Sequence, residues 1–170
     1  FRRVLFRSDS IREDLVMSLD DVIGREGNLL EETPEQGHQL IVPHPILTNG
    51  QLQRLRYLFH GDFRSITLEM LYRVDQGPRS LESAIDNLCR RATRSVLNDF
   101  SVIILSDRGV SRDLAPIPSL LAVSAVHHHL IREGLRTKVA LIVESGEARE
   151  VMHFALLVGY GANAINPYLA

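Results

Sequence analysis

Polar side chains follow three apolar runs in the second half of the chain. They are Asp107 and Arg108 after the first run, Glu144, Ser145 and Gly146 after the second, and Asn166 after the third. If the runs are parallel strands, these residues meet at one edge of the sheet, where α/β proteins gather ligands. No nucleophile and base are paired by spacing, so the pattern favours a binding site or an interface over direct catalysis. It is equally typical of chain leaving a buried sheet.

Three consecutive histidines, His127, His128 and His129, stand inside a predicted helix. A metal site on one helix takes histidines four residues apart on one face. Adjacent helical positions point about 100° apart, so these three side chains diverge and cannot chelate one ion together. We expect one to pack on the sheet and another to hydrogen-bond a neighbouring element.

The elements that would position these residues alternate regularly. Short apolar runs that are β-branched or alternate with period two predict strands at about 66–70, 102–105, 139–143 and 162–165. Apolar stripes at helical spacing predict helices at about 80–96, 119–133 and 147–158. Nearly continuous apolar strands between helices indicate an α/β fold with a parallel sheet and right-handed βαβ crossovers. Because a whole barrel takes roughly 250 residues, the fold should resemble half of a (β/α) barrel or an open sheet.

The first part of the chain is less regular. Residues 1–9 are basic without a signal-peptide core, so we interpret them as a disordered or non-native arm. A capping box at Ser10 followed by Ile11, Leu15, Leu19 and Val22 predicts a helix. Residues 24–50 lose periodicity and predict an irregular strap across neighbouring structure, and Thr48 can cap a short helix to about Leu58. The domain is therefore expected over 10–170, irregular or helical over 10–64 and parallel α/β over 65–170.

Composition excludes several classes of function. The formal charge is −2 and the pI about 6.4, which gives no electrostatic footprint for nucleic acid or an anionic membrane. The apolar runs are far shorter than the roughly 18 residues of a membrane span. Cys89 is the single cysteine, so this chain holds no disulfide framework and no multi-cysteine metal site, and a reducing cytoplasm is the expected compartment.

Several longer motifs resemble the large subunit of glutamate synthase over about residues 11–170. The motifs begin with Glu31-Glu32-Thr33-Pro34-Glu35-Gln36 and Pro43-His44-Pro45-Ile46-Leu47-Thr48-Asn49, and continue with Leu105-Ser106-Asp107-Arg108-Gly109, Ala115-Pro116-Ile117-Pro118-Ser119-Leu120-Leu121, His127-His128-His129-Leu130-Ile131-Arg132, Val143-Glu144-Ser145-Gly146-Glu147 and Asn166-Pro167-Tyr168-Leu169. The resemblance points to the family's central domain, between a glutamine amidotransferase domain and an FMN-binding synthase domain.

The resemblance implies a parent enzyme that makes glutamate from glutamine and 2-oxoglutarate. Ammonia released from glutamine passes through an internal tunnel, and FMN and a 3Fe-4S cluster carry electrons from ferredoxin or from a small NAD(P)H-oxidising subunit. It implies a cytoplasmic enzyme, or a plastid one in a eukaryote. The family's nucleophilic cysteine and cluster cysteines have no counterpart in Cys89. This segment is therefore expected to hold no catalytic residue and no cofactor, and to be inactive alone.

The role left for the segment is to join the flanking domains and support ammonia transfer. On this hypothesis the strand-end residues Asp107, Arg108, Glu144, Ser145 and Gly146, with the helix carrying His127–His129, contact those domains. The alternative is a self-contained α/β domain, a small-molecule binder or lyase, with its own site at the strand ends.

Overall fold

The central element of the fold is a five-stranded sheet whose order follows the chain without reversal. The computed structural model describes residues 17–170 apart from 29, 32 and 62. Strands β4 (Phe63–Glu69), β6 (Val102–Ser106), β8 (Ala140–Glu144) and β9 (Ala164–Asn166) are parallel neighbours in that order, and β3 (Phe59–His60) pairs antiparallel with β4. The predicted α/β fold with a parallel sheet is confirmed.

Three helices connect the parallel strands and cover one face of the sheet. They are α2 (Ser80–Leu97), α3 (Ser119–Arg132) and α4 (Val151–Gly159). Because the strand order does not reverse, all three right-handed crossovers fall on the same side, as in half of a (β/α) barrel. Ile103, Leu105, Leu141 and Val143 point into this helical core, together with Ala92 and Val126 from the helices.

The opposite face of the sheet packs against the first part of the chain. Alternate strand residues, among them Ile104 and Ile142, form a second core with Ile23, Leu47 and Leu52. Leu52 belongs to α1 (Asn49–Arg56), and burying such a side chain stabilises the fold by roughly 1.5–3 kcal/mol. The strap thus covers the face that would line the inside of a closed barrel.

The strap is more ordered than its sequence suggests. β1 (Asp21–Ile23) pairs antiparallel with β2 (Leu40–Val42), and Ile165 of β9 exchanges backbone hydrogen bonds with Pro45 and Leu47. The predicted helix from Ser10 lies mostly outside the described residues, but extending it to Val22 was wrong. The reason is that β-branched Val22 and buried Ile23 pair with β2 instead.

Local side-chain hydrogen bonds mark where α1 and α4 begin. The Thr48 side chain accepts a hydrogen bond from the Gln51 amide while Gln51 Oε1 accepts one from the Thr48 amide, so α1 starts as predicted. The helix predicted from 147 begins instead at Val151, where the Glu150 amide donates a hydrogen bond to His153 Nδ1. Glu147 lies before this start, and its carboxylate accepts hydrogen bonds from Ser119 at the beginning of α3. β5 (Leu71–Arg73) pairs antiparallel with β7 (Leu114–Pro116), and the sequence did not predict this pairing. β7 lies inside the loop that was predicted after β6.

Candidate functional site

A row of polar residues crosses the carboxyl edge of the parallel sheet. Ser106 ends β6, Glu144 ends β8 and Asn166 ends β9, and the register pairs Ser106 with Glu144 and Glu144 with Asn166. All three lie two residues beyond apolar residues that face the strap, so their side chains share that face. Each is almost completely buried. The edge therefore ends in hydrogen-bonding groups held under the strap, and we call it the carboxyl-edge cluster.

Glu144 is the centre of the carboxyl-edge cluster and is only 1% exposed. Its Oε2 accepts hydrogen bonds from Arg56 Nη2 at 2.6 Å and Ser106 Oγ at 2.5 Å, and its Oε1 accepts one from Arg108 Nε at 2.5 Å. Burial by itself raises the pKa of Glu144, but the hydrogen bonds from Ser106 and Arg108 and the two positive charges outweigh burial and lower it. The carboxylate therefore stays ionised and ties α1 to the ends of two strands.

Asp107 organises the neighbouring loop. Its Oδ2 accepts hydrogen bonds from Ser145 Oγ at 2.8 Å and from the Gly146 amide at 2.9 Å, while its own amide donates to the Glu144 carbonyl. Like Glu144, the Asp107 side chain is buried. The loops after β6 and β8 are thus fastened to each other by ionic and polar contacts, which hold their shape.

The outer surface of the carboxyl-edge cluster is formed by Arg108 and Tyr168. The Arg108 guanidinium lies 4.0 Å from the centre of the Tyr168 ring, a cation–π contact. Burial, followed by the neighbouring Asp107 carboxylate, raises the pKa of Tyr168 to about 12, so the phenol stays protonated. A Cβ on Gly146 would come within 2.8 Å of Leu169 Cδ1 and 3.2 Å of the Tyr168 hydroxyl, so glycine permits this close packing.

The three histidines lie away from this edge. His127 Nδ1 accepts a hydrogen bond from Arg136 Nε at 2.9 Å, and Arg136 also donates to the carbonyls of Val139 and Gly161, which flank the starts of β8 and β9. His129 Nε2 is 2.8 Å from Thr93 Oγ1 of α2, whereas His128 is exposed. The expectation that the three side chains diverge holds for His129 but not for the other two, because the rings of His127 and His128 lie edge to face with their centres 5.2 Å apart. A role of this helix in contacting other domains stays a prediction.

His127 belongs to a second polar network, at the amino edge of the sheet. Arg136 Nη2 reaches Asn163 Oδ1 at 3.2 Å, and that oxygen also accepts from the Leu141 amide at 3.0 Å. Burial, then the charges of Arg136 and His128, lower the pKa of His127. We call this group the amino-edge cluster. Its acceptors are backbone carbonyls, an amide and a neutral imidazole.

Sequence reasoning brought together Asp107, Arg108, Glu144, Ser145 and Gly146, and the structure places these five side by side. It missed Arg56 and Tyr168. Arg56 lies 88 residues from Glu144 at the end of an ordinary amphipathic helix, so nothing local marks it. Tyr168 follows β9 by two residues, and applying the strand-end argument beyond Asn166 would have found it.

The chemistry available at the carboxyl-edge cluster is charge pairing and hydrogen bonding. Ser145 donates to Asp107, and within the described part of the chain no histidine joins them as a base. No three metal-ligating side chains come together among the same residues, and no helix there is long and apolar enough to cross a membrane. Cys89 is buried, and its pKa is raised, first of all by burial, so its thiol is not activated.

The fold and this site together define an α/β half-barrel domain whose carboxyl edge is held by ion pairs to one buried glutamate. The sequence profile of the glutamate synthase central domain matches residues 8–170, so the chain belongs to that family. It is 47% identical over 162 residues to the glutamate synthase [NADPH] large chain of Bacillus subtilis, 43% over 166 residues to ferredoxin-dependent glutamate synthase 2 of Synechocystis, and 41% over 164 residues to glutamate synthase [NADH] of Schizosaccharomyces pombe.

These alignments cover nearly all of this chain but little of the relatives. They take in 95% of this chain in each case and 10%, 10% and 8% of the three relatives. The chain therefore spans about a tenth of the length of the curated relatives it matches. The three names specify NADPH, ferredoxin and NADH, and the identities lie within a narrow range for all three.

Proposed function

We propose that this segment joins the glutamine amidotransferase and FMN synthase domains of a glutamate synthase and supports ammonia transfer between them. On this proposal the parent enzyme, cytoplasmic or plastidic, makes glutamate from glutamine and 2-oxoglutarate by reductive transfer of the amide nitrogen. The observation that carries the proposal is the carboxyl-edge cluster, where the buried Glu144 carboxylate is paired with Arg56 and Arg108 and no described histidine joins Ser145 as a base. Family membership supplies the parent reaction.

A rigid surface without net charge is suitable for a barrier that separates ammonia from solvent between two active sites. Both arginines pair with Glu144, and a formal count of Arg56 and Arg108 against Glu144 and Asp107 gives these four residues no net charge that would attract an ammonium ion. The Glu144 carboxylate itself is almost completely buried, so removing a partner leaves its charge less well compensated, and the loops that the pairs fix resist opening to water. Ammonia must stay unhydrated and unprotonated in transit, and a closed wall excludes the water that would protonate it.

Electron transfer is assigned to groups outside this segment. In the parent enzyme FMN and a 3Fe-4S cluster supply the reducing chemistry, with electrons from ferredoxin or from a small NAD(P)H-oxidising subunit. Iron–sulfur clusters are held by several cysteine thiolates, and the one cysteine here is a buried helix residue, so these residues do not fit the cluster. Consequently the isolated segment should bind neither group and catalyse no step.

The test is the coupling ratio of the complete enzyme, defined as 2-oxoglutarate consumed per glutamine hydrolysed. Arg108→Met removes one partner of Glu144 and the contact with Tyr168, and should lower the ratio below one with release of free ammonia. Arg25→Met is the matched control, because Arg25 is also paired with a carboxylate and is 42% exposed against 45% for Arg108. An unchanged ratio in Arg108→Met would exclude the proposed role.

A further inference from the structure

Helix α4 is apolar on nearly all sides, yet only one of its nine residues is fully buried. That residue is Leu157, while Val151, Met152, Leu156 and Val158 are all exposed. Helices that are hydrophobic all round are normally buried. A nine-residue helix is also marginal in water unless tertiary packing supports it. Among the residues that the structure describes, none covers the outer face of α4, defined here by Val151, Met152 and Leu156.

The charge pattern separates this face from an ordinary solvent-exposed helix. Residues 151–170 contain no Asp, Glu, Lys or Arg at all. By contrast, α2 presents five charged residues outward. They are Glu82, Asp86, Arg90, Arg91 and Arg94. Depletion of charge is the compositional mark of the buried centre of an interface.

A small cleft adjoins the α4 face. About 210 Å³ of space lies between the beginning of α3 and α4, lined by Pro118, Leu120, Ala148, Leu156 and Leu157 with the polar groups of Ser119, Glu147 and His153 at its sides. Ligand pockets usually start near 300 Å³, so this cleft suits one apolar side chain rather than a small molecule. Anchors of that kind dominate the energetics of protein interfaces.

The α4 face is continuous with the carboxyl-edge cluster. Glu147 Oε2 accepts hydrogen bonds from the Ser119 amide at 2.8 Å and the Ser119 hydroxyl at 2.7 Å, beside the cleft. Glu147 follows Gly146, whose amide is bound to Asp107. The cleft and the charged cluster are therefore two parts of one surface at the same end of the sheet.

We infer that the outer face of α4 is covered by another domain of the same large chain, which presents an uncharged surface and inserts one apolar side chain into the cleft. The inference rests on the proposed function, in which this segment lies within a longer polypeptide. The matched relatives are about ten times as long, so on the proposed function such a domain is available in the same chain. Covalent linkage raises its effective concentration, so that even a small patch suffices.

A second copy of the chain is a poorer occupant. Nine residues at 1.5 Å each make a helix only about 14 Å long. A stable association between separate proteins needs roughly 800 Å² on each partner, which this face alone does not offer. The small area thus favours a tethered partner.

Hydroxyl-radical footprinting of the intact large chain tests the inference without any substitution. Met152 is 61% exposed here and Leu97, at the end of charged α2, is 67% exposed, so Leu97 is the reference. Each residue's oxidation is compared with that of the same residue in free, unfolded peptide. If α4 is covered by a tethered domain, Met152 and Leu156 should be protected about tenfold more than Leu97 at every protein concentration, because covered anchors exclude water.

Two results would overturn the inference. If Met152 and Leu156 react as readily as their exposure here implies, nothing covers α4. If their protection disappears on dilution, a second copy covers it instead.

A pair of variants gives an independent readout in the same intact chain. Met152→Glu places a negative charge in the first turn of α4, and Leu97→Lys places a positive charge in the last turn of α2, so both charges are favourable to their own helix. Met152→Glu should expose the loop after β8 to proteolysis about tenfold faster, because a charge cannot enter a covered apolar face without a partner. Leu97→Lys should not. Equal proteolysis of the two variants and the parent protein would contradict coverage.

The footprinting tests coverage of α4 and the coupling ratio tests the proposed ammonia role, so one proposal can be excluded while the other stands. Protection of α4 with normal coupling in Arg108→Met would remove the proposed ammonia role but keep the interface. Unprotected Met152 and Leu156 together with lost coupling in Arg108→Met would remove the interface but keep the proposed ammonia role.

Discussion

The two ends of the parallel sheet carry polar clusters of opposite character. At the carboxyl edge a buried carboxylate, Glu144, is held by two arginines, one of which is 45% exposed. At the amino edge a partly buried arginine, Arg136, is held by carbonyls, an amide and the imidazole of His127. The first cluster keeps charge near the surface, where another domain can meet it. The second is satisfied by its own chain, so it holds the sheet together without presenting charge outward.

This difference indicates that the two clusters have different roles. A network of neutral acceptors around one guanidinium fixes geometry, and any intrusion into it is costly. Ion pairs that reach the surface can also form with charged groups of another domain. We therefore expect substitutions at the amino edge to act on stability alone, and substitutions at the carboxyl edge to act on stability and on coupling.

The largest effect is expected at the amino edge, from Gly161→Ala. A Cβ there would lie 2.1 Å from His127 Nδ1, and Gly161 has φ of +107°. Overpacking and backbone strain together should lower the free energy of unfolding by about 3–5 kcal/mol. Gly134→Ala is the control, because Gly134 has φ of +67° but no atom within 4 Å of the added Cβ, so it should lose only about 1 kcal/mol. Urea unfolding measures both, and equal losses would contradict this account of the amino edge.

Glu144→Gln should give the next largest effect, at the carboxyl edge. It leaves Arg56 and Arg108 without a charged partner and should cost about 3 kcal/mol at neutral pH. The pKa of Glu144 is lowered by folding, so its stabilisation is present above its ordinary value of 4.5 and is lost as the pH falls through the lower value in the folded state. Urea unfolding measured across pH should therefore show that the difference in free energy of unfolding between the parent and Glu144→Gln narrows below about pH 4.5. A gap that is constant with pH would contradict the ion-pair assignment.

How much of this the sequence could predict differs between the two edges. Period-two and β-branched runs located all four parallel strands, and because parallel strands meet in register the same patterns grouped Asp107 with Glu144. No local pattern links Arg56 to Glu144 across 88 residues, since that contact depends on how the strap folds over the sheet. The amino-edge cluster depends on Gly161, which has a positive φ and lies against the His127 ring. The local sequence between α4 and β9 does not indicate this contact, because His127 belongs to a different helix.

A smaller effect should come from His127, and it separates the two edges by pH. Burial and then the charges of Arg136 and His128 lower the pKa of His127, so the unfolded chain takes up its proton first as the pH falls. The native protein should therefore lose a little stability below the ordinary pKa of 6.5, well above the range in which Glu144 acts. NMR titration of the ring protons measures this directly. A His127 that titrates at or above 6.5 would contradict its place beside Arg136.

The most direct test compares coupling in variants that weaken the two edges to a similar degree. In the complete enzyme, 2-oxoglutarate consumed per glutamine hydrolysed would be measured for Glu144→Gln and for Gly161→Ala, at a temperature where both remain folded. We expect a ratio below one with free ammonia for Glu144→Gln, and a ratio near one for Gly161→Ala despite its lower stability. Equal ratios in the two variants would show that the carboxyl edge supports ammonia transfer no more than the domain's stability in general does.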